Sequence, residues 1–127
     1  MGRSLLVVDD SKLARLAVER ALAACRPDWR LLEAPNADAA LVIAKTFAPD
    51  MAVIDFNMPG RDGLSLAADL RALRPDMPLA IVSANFQTEV VERARRIRAD
   101  FLPKPLQRDA FGAFVEKAES AVTQHDA

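Results

Sequence analysis

The sequence predicts an α/β fold: a mainly parallel β-sheet with helices on both faces. Two observations carry this expectation. Short apolar runs of strand length alternate strictly with longer segments of helical period, five times over. The strand-like runs are continuously apolar rather than alternating, as expected of strands buried on both faces. At 127 residues, 51% of them hydrophobic, the chain has the size and the apolar content for one domain with one core.

The elements follow in order. Leu5 to Val8 is the first strand. From Ser11 a helix is expected, with Leu13, Leu16, Ala17, Ala21 and Ala24 on its apolar face and Lys12, Arg15 and Glu19 turned outward. Pro27 stops it soon after Cys25. Leu31 and Leu32 lie in a short second strand, and Asn36 or Asp38 caps a second helix running to about Phe47. Met51 to Ile54 is the third strand, closed by the turn-rich run Asn57-Met58-Pro59-Gly60-Arg61-Asp62-Gly63. Leu64 to Leu73 is helical, and Pro75 and Pro78 bracket the link to the strand Leu79 to Val82. Thr88 to about Arg98 reads as a helix with Val90, Val91, Ala94 and Ile97 on its apolar side. Phe101-Leu102 opens a fifth strand, and Lys104-Pro105 leads into a last helix carrying Phe111, Phe114, Val115, Ala118 and Val122. Residues 1–124 are expected to form the domain and 125–127 a short tail, with no appended output module.

Composition narrows the function. A formal net charge of −1 argues against whole-surface attraction to nucleic acid. No apolar run approaches the roughly 20 residues that span a bilayer, and the N-terminus lacks a secretory pattern, so a cytoplasmic location is the default. The single cysteine, Cys25, excludes an intrachain disulfide and reads as a half-buried residue at a helix end. Trp29 is expected to pack a loop, and His125 to sit in the terminal tail rather than act as a phospho-donor.

Polar residues collect at the carboxyl ends of the strands, where open α/β sheets place function. The first strand ends in Asp9-Asp10, the third in Asp55, the fourth in Ser83, and the fifth runs into Lys104. Taken singly, Asp9 or Asp10 would be a helix cap, Asp55 a turn residue, and Lys104 a solvated side chain. Together, three carboxylates at neighbouring strand ends repel unless a cation sits among them. Mg²⁺ suits one or two carboxylates plus waters and phosphate oxygens, Lys104 supplies further compensation, and a hydroxyl such as Ser83 can donate to a phosphoryl oxygen. The set points to phosphoryl transfer onto a carboxylate.

The motifs resemble those of one family. Leu6-Val7-Val8-Asp9-Asp10-Ser11, Ala52 through Gly63, Ile81-Val82-Ser83-Ala84 and Phe101-Leu102-Pro103-Lys104-Pro105 are similar to the four signature segments of CheY-like receiver domains of two-component response regulators. The resemblance covers essentially the whole chain. It implies a flavodoxin-like (βα)5 three-layer sandwich with sheet order 2-1-3-4-5. It implies that Asp55 accepts phosphate from a histidine kinase or histidine phosphotransfer protein. It also implies that Asp10, Asp55 and the backbone carbonyl of Asn57 ligate Mg²⁺, with Asp9 acting largely through water. Lys104 would pair with the phosphoryl oxygens, Ser83 would move to bond one of them, and Phe101 would be the rotameric switch. A cis Lys104-Pro105 bond is expected.

Three departures stand out. The Ser83-to-Lys104 spacing is one residue shorter than is usual, Arg98 stands where a glycine often ends the fourth helix, and phenylalanine replaces the frequent tyrosine at Phe101. Arg93, Arg95, Arg96 and Arg98 form either a solvated face or a basic docking surface, and the output protein is expected at the face of the fourth helix, fifth strand and fifth helix. The implied role is a signalling switch that catalyses only its own phosphotransfer and dephosphorylation. A phosphate shuttle and a phosphorylation-independent interaction module are the alternatives. An aspartyl-phosphate phosphatase commonly needs an acid two residues after its nucleophile, and that position here is Asn57.

Overall fold

The computed structural model describes residues 2–126, with side chains through Gln124. The His125 side chain, and with it the expectation for its chemistry, therefore falls outside the described residues. Five parallel strands, β1 (Ser4–Val8), β2 (Arg30–Ala34), β3 (Met51–Asp55), β4 (Leu79–Ser83) and β5 (Asp100–Pro103), form one sheet in the order β2-β1-β3-β4-β5. Between and after them run α1 (Lys12–Cys25), α2 (Ala37–Phe47), α3 (Gly63–Leu73), α4 (Thr88–Arg96) and α5 (Arg108–Asp126). This is the flavodoxin-like topology that the resemblance implies.

Alternation along the strands divides the core in two. On one face of the sheet Leu6, Val8, Ala52, Ile54, Leu79 and Ile81 pack under α2, α3 and α4. On the other, Leu5, Val7, Val53 and Val82 meet Val18 and Leu22 of α1, and Phe111 and Phe114 of α5. Every residue of β3 and β4 is buried, which accounts for their unbroken apolar runs.

The buried face of α1 differs from the expected one. Leu13 is 77% exposed, whereas Val18, Ala21 and Leu22 are buried, and Ala17 and Ala24 are also exposed. A helix rich in alanine offers several arcs of similar hydrophobicity, and here the arc with Val18 and Leu22 fits the sheet. The same rotation brings Arg15 inward, against the expectation that it faces solvent. Cys25 closes α1 half-buried, and Trp29 likewise packs on the α1–α5 side of the core. Asn36, not Asp38, caps α2, its side chain accepting from the Ala39 N–H at 2.8 Å.

The chain leaves α4 two residues sooner than expected, and the turn to β5 contains Arg98 at φ +58°. That is the left-handed region a glycine would enter freely and an arginine enters at a cost of roughly 1 kcal/mol or more. Arg71 of α3 holds the turn in place. Its guanidinium donates to the carbonyls of Ile97 at 2.8 Å, Arg98 at 3.1 Å, Met77 at 2.6 Å and Pro75 at 2.9 Å. One side chain thus ties the end of α4 to the loop before β4. Burial, and then the charge of Arg98, pull the Arg71 pKa below its usual value, though a guanidinium stays charged at any ordinary pH. Replacing it in Arg71→Met keeps the apolar stem and removes every donor. This variant should lose about 2 kcal/mol of stability, read as a lower urea midpoint with an unchanged m-value.

Candidate functional site at the carboxyl edge of the sheet

Strand register brings the polar residues to one level. Val8 pairs with Ala34 on one side and Ile54 on the other, Asp55 pairs with Val82, and Ser83 pairs with Pro103. Asp9, Asp55 and Ser83 therefore lie along one edge of the sheet, with Lys104 one residue past the end of β5. Strand-like backbone bonds continue across this edge. The Asp9 N–H donates to the Ala34 carbonyl at 3.1 Å, the Phe56 N–H to Val82 at 3.0 Å, and the Lys104 N–H to Ser83 at 3.0 Å.

Local chemistry frees the carboxylates from capping. Ser11 caps α1, its Oγ accepting from the Ala14 N–H at 3.2 Å. Asp62 caps α3, accepting from the Ser65 N–H at 2.7 Å. Asp9 instead accepts from the Ser11 N–H at 2.9 Å in a tight turn. The loop after β3 is then drawn in tightly: Gly63 donates to the Phe56 carbonyl at 2.8 Å. A Cβ at Gly63 would overlap the backbone oxygen of Asp55, so only glycine lets α3 begin this close to the end of β3.

Asp9, Asp10 and Asp55 can each place a carboxylate oxygen within 4.8 Å of the others. Asp9 and Asp55 are buried and Asp10 is exposed. Lys104 Nζ lies 2.6 Å from Asp55 Oδ1, a contact close enough for strong attraction. It is not aligned as a hydrogen bond, and Asp55 Oδ1 is the one buried side-chain polar atom among the described residues without such a partner. A buried, under-coordinated carboxylate oxygen flanked by two further carboxylates is a hard-oxygen donor set, and it fits Mg²⁺.

The other expected residues surround this group. Ser83 is buried, and its Oγ accepts from the Asn85 N–H at 2.9 Å. The Lys104-Pro105 bond is cis. Asn57 is exposed in the loop after β3. Phe101 is half-buried against the α2–α4 side of the core. Its ring lies 5.8 Å from that of Phe86, tilted by 54°.

Sequence reasoning missed Phe86, 61% exposed in the loop before α4. It also missed Arg15, whose Nη1 donates to the Asp9 carbonyl at 2.7 Å while Nε reaches Glu33 at 3.2 Å. A signal for Arg15 existed. Helical side chains lean toward the N-terminus, so a long residue one turn past Ser11 can reach back to the strand end. Of the α4 arginines, Arg93 pairs with Asp62 at 3.3 Å and Arg95 with Glu92 at 3.5 Å, while Arg96 is exposed.

A doubly wound sheet with an acidic cluster and a lysine at its carboxyl edge is an arrangement suited to phosphoryl chemistry on a carboxylate. Consistent with this, residues 5–116 match the response regulator receiver domain family, and the chain belongs to that family, whose members are switches of two-component signalling. The DNA-binding transcriptional regulator NtrC of Salmonella typhimurium is 36% identical over 115 residues, covering 90% of this chain and 24% of that protein. A protein-glutamate methylesterase/protein-glutamine glutaminase of Nitrosomonas europaea is 38% identical over 106 residues, 80% of this chain and 29% of that protein. The chain thus spans less than a third of either relative. Among solved structures, a CheY-like receiver domain protein of Methanospirillum hungatei superposes with a TM-score of 0.87 at 21% identity, covering 98% of this chain and 99% of that one. The chemotaxis protein CheY4 of Vibrio cholerae gives 0.84 at 21% identity, covering 93% and 99%.

The crowding has a measurable consequence. The Asp9 pKa is raised, first by burial and also by the charges of Asp55 and Asp10, against the lowering effects of the Ser11 hydrogen bond and of Lys104. The folded, metal-free protein thus holds this proton to higher pH than the unfolded chain does. That stability contribution is full below the unfolded-state pKa and is lost as pH rises through the folded one. Asp9→Asn in chelator should therefore be more stable than the parent at neutral pH. The difference should shrink as pH falls through the folded-state pKa and vanish below about 4, where Asp9 is protonated in both states. Parallel urea melts across that range check the sign.

Proposed function

We propose that this receiver accepts a phosphoryl group on Asp55 from a phosphohistidine of a histidine kinase or histidine phosphotransfer protein, and signals by altered contacts with another protein. The observation that carries the reading is the buried Asp55 carboxylate, its Oδ1 lacking a hydrogen-bond partner and lying beside Lys104 and two further carboxylates. In the transfer, an Asp55 oxygen bonds to phosphorus as the P–N bond of the phosphohistidine breaks. The imidazole, whose second ring nitrogen carries a proton, leaves with that electron pair as the neutral ring.

Asp10, Asp55 and the Asn57 carbonyl would hold Mg²⁺, with Asp9 acting through water. The ion supplies positive charge between the carboxylates and the incoming phosphoryl oxygens. Lys104, already against Asp55, is placed to pair with the same oxygens. Ser83 accepts a hydrogen bond from Asn85, and its hydroxyl still carries a proton to donate. The phosphoryl group brings a charge of about −1.5 to −2, which favours the arrangement in which Ser83 and Lys104 close around it. A cytoplasmic location belongs to the same reading, and no described helix is long and apolar enough to cross a membrane.

Intact-mass measurement with Mg²⁺ and acetyl phosphate tests the acceptor. The parent should gain one phosphoryl mass, and Asp55→Asn or an excess of chelator should abolish the gain. Equal labelling of Asp55→Asn would place the acceptor elsewhere.

A further inference from the structure

Arg15 lies beside the acidic cluster but bonds to none of its carboxylates. Its Nη1 donates to the backbone carbonyl of Asp9 at 2.7 Å, and its Nε donates to Glu33 Oε1 at 3.2 Å. The side chain is only 15% exposed, against 45% for Glu33. The Asp9 N–H is fixed from the opposite side by the Ala34 carbonyl at 3.1 Å. Asp9 is therefore held through both of its backbone polar groups, and the bond from Arg15 is the one that acts on the peptide plane leading into Asp10.

A guanidinium in this position has a competing use. Paired with a carboxylate it would form a stronger, charge-assisted contact than with a neutral carbonyl, and it would occupy the space a divalent cation needs. Glu33, on β2 next to the residue that accepts from Asp9, supplies an anion on the far side and holds the guanidinium there. We propose that Arg15, tethered by Glu33, is a positioning residue for the acidic pair: it fixes the Asp9-Asp10 peptide in the cation-binding geometry, and the tether keeps its charge off the carboxylates. The inference rests on the reading of the cluster as a divalent-cation site.

Bare electrostatics predicts the opposite sign, which makes the idea testable. Removing a nearby positive charge should by itself tighten Mg²⁺ binding. Loss of a residue that orients a ligand should weaken it, by about tenfold where such partners matter. The experiment is a Mg²⁺ titration of the full chain at constant ionic strength, followed by amide NMR shifts, for the parent, Arg15→Met, Glu33→Gln and the double variant. Arg15→Met should bind about tenfold more weakly. Glu33→Gln, at a half-exposed site that leaves the core untouched, should weaken binding in the parent background and have no effect in the Arg15→Met background. Binding by Arg15→Met that equals or exceeds the parent's would overturn the proposal. An equal Glu33→Gln effect in both backgrounds would reduce Glu33 to a bare charge and overturn the tether. A parent that shows no Mg²⁺ binding would defeat the cation-site reading itself, and this inference with it.

Discussion

Negative charge concentrated where β1 and β3 end is the constraint around which the rest of the structure is arranged. Asp55 is 4% exposed and closes a strand in which every residue is buried. Ionised carboxylates taken out of water carry a penalty of several kcal/mol each unless paired and hydrogen-bonded. Here Lys104 is the single cation within contact of Asp55 Oδ1 among the described residues, and Asp9 and Asp10 add to the repulsion. Two continuous cores, one on each face of the sheet, supply the stability that lets this edge remain under-compensated. The same imbalance would give a bound divalent cation its effect, because the ion would relieve a cost already present in the fold.

The sheet delivers this arrangement through its backbone. Hydrogen bonds of the parallel ladder run one step beyond the formal strands, through Asp9 to Ala34, Phe56 to Val82 and Lys104 to Ser83. Residues that belong to loops by conformation are thus held with the rigidity of strands. Capping is delegated to Ser11 and Asp62, so the site carboxylates are not consumed by helix ends. The close entry of α3 at Gly63 anchors the end of β3 from the other direction. Preorganised groups of this kind spend little on reorganisation when charge arrives.

Much of this was legible in the sequence, because strand ends of an α/β chain are readable from apolar runs, and Asp9, Asp10, Asp55, Ser83 and Lys104 each follow one directly. The misread face of α1 shows where periodicity fails. With alanine at positions 14, 17, 21, 23 and 24, the helix has no sharp apolar stripe. Leu13 then pulled the expected face toward what is solvent, and Arg15 went outward with it. Glu33 as the partner of Arg15 depends on β1–β2 register, Val7 opposite Glu33, which no local pattern specifies. Arg98 shows a different limit. Its left-handed backbone is possible because Arg71, 27 residues earlier, gathers the surrounding carbonyls, and such long-range compensation leaves no trace in spacing.

The contacts of Ser83 bear on how the proposed phosphorylation would reach the surface. Its Oγ holds the Asn85 N–H at 2.9 Å, and Asn85 Oδ1 holds the Gln87 N–H at 2.9 Å. The segment 83–87 is therefore a chain of linked turns rather than a slack loop, and it carries Phe86 with its ring against Phe101. A shift of the Ser83 hydroxyl toward a phosphoryl oxygen either breaks the first of these bonds or carries the whole segment. Where the segment is carried, the Phe86–Phe101 contact changes with it. Phe101 has no hydroxyl to satisfy in any rotamer, so apolar contacts set its resting position: packing against the core, and aromatic packing with Phe86 worth about 0.5–1.5 kcal/mol in general. An energy of that size biases a population by roughly two- to tenfold. The switch in this chain would then rest on a graded bias set by two phenylalanines, not on a polar latch.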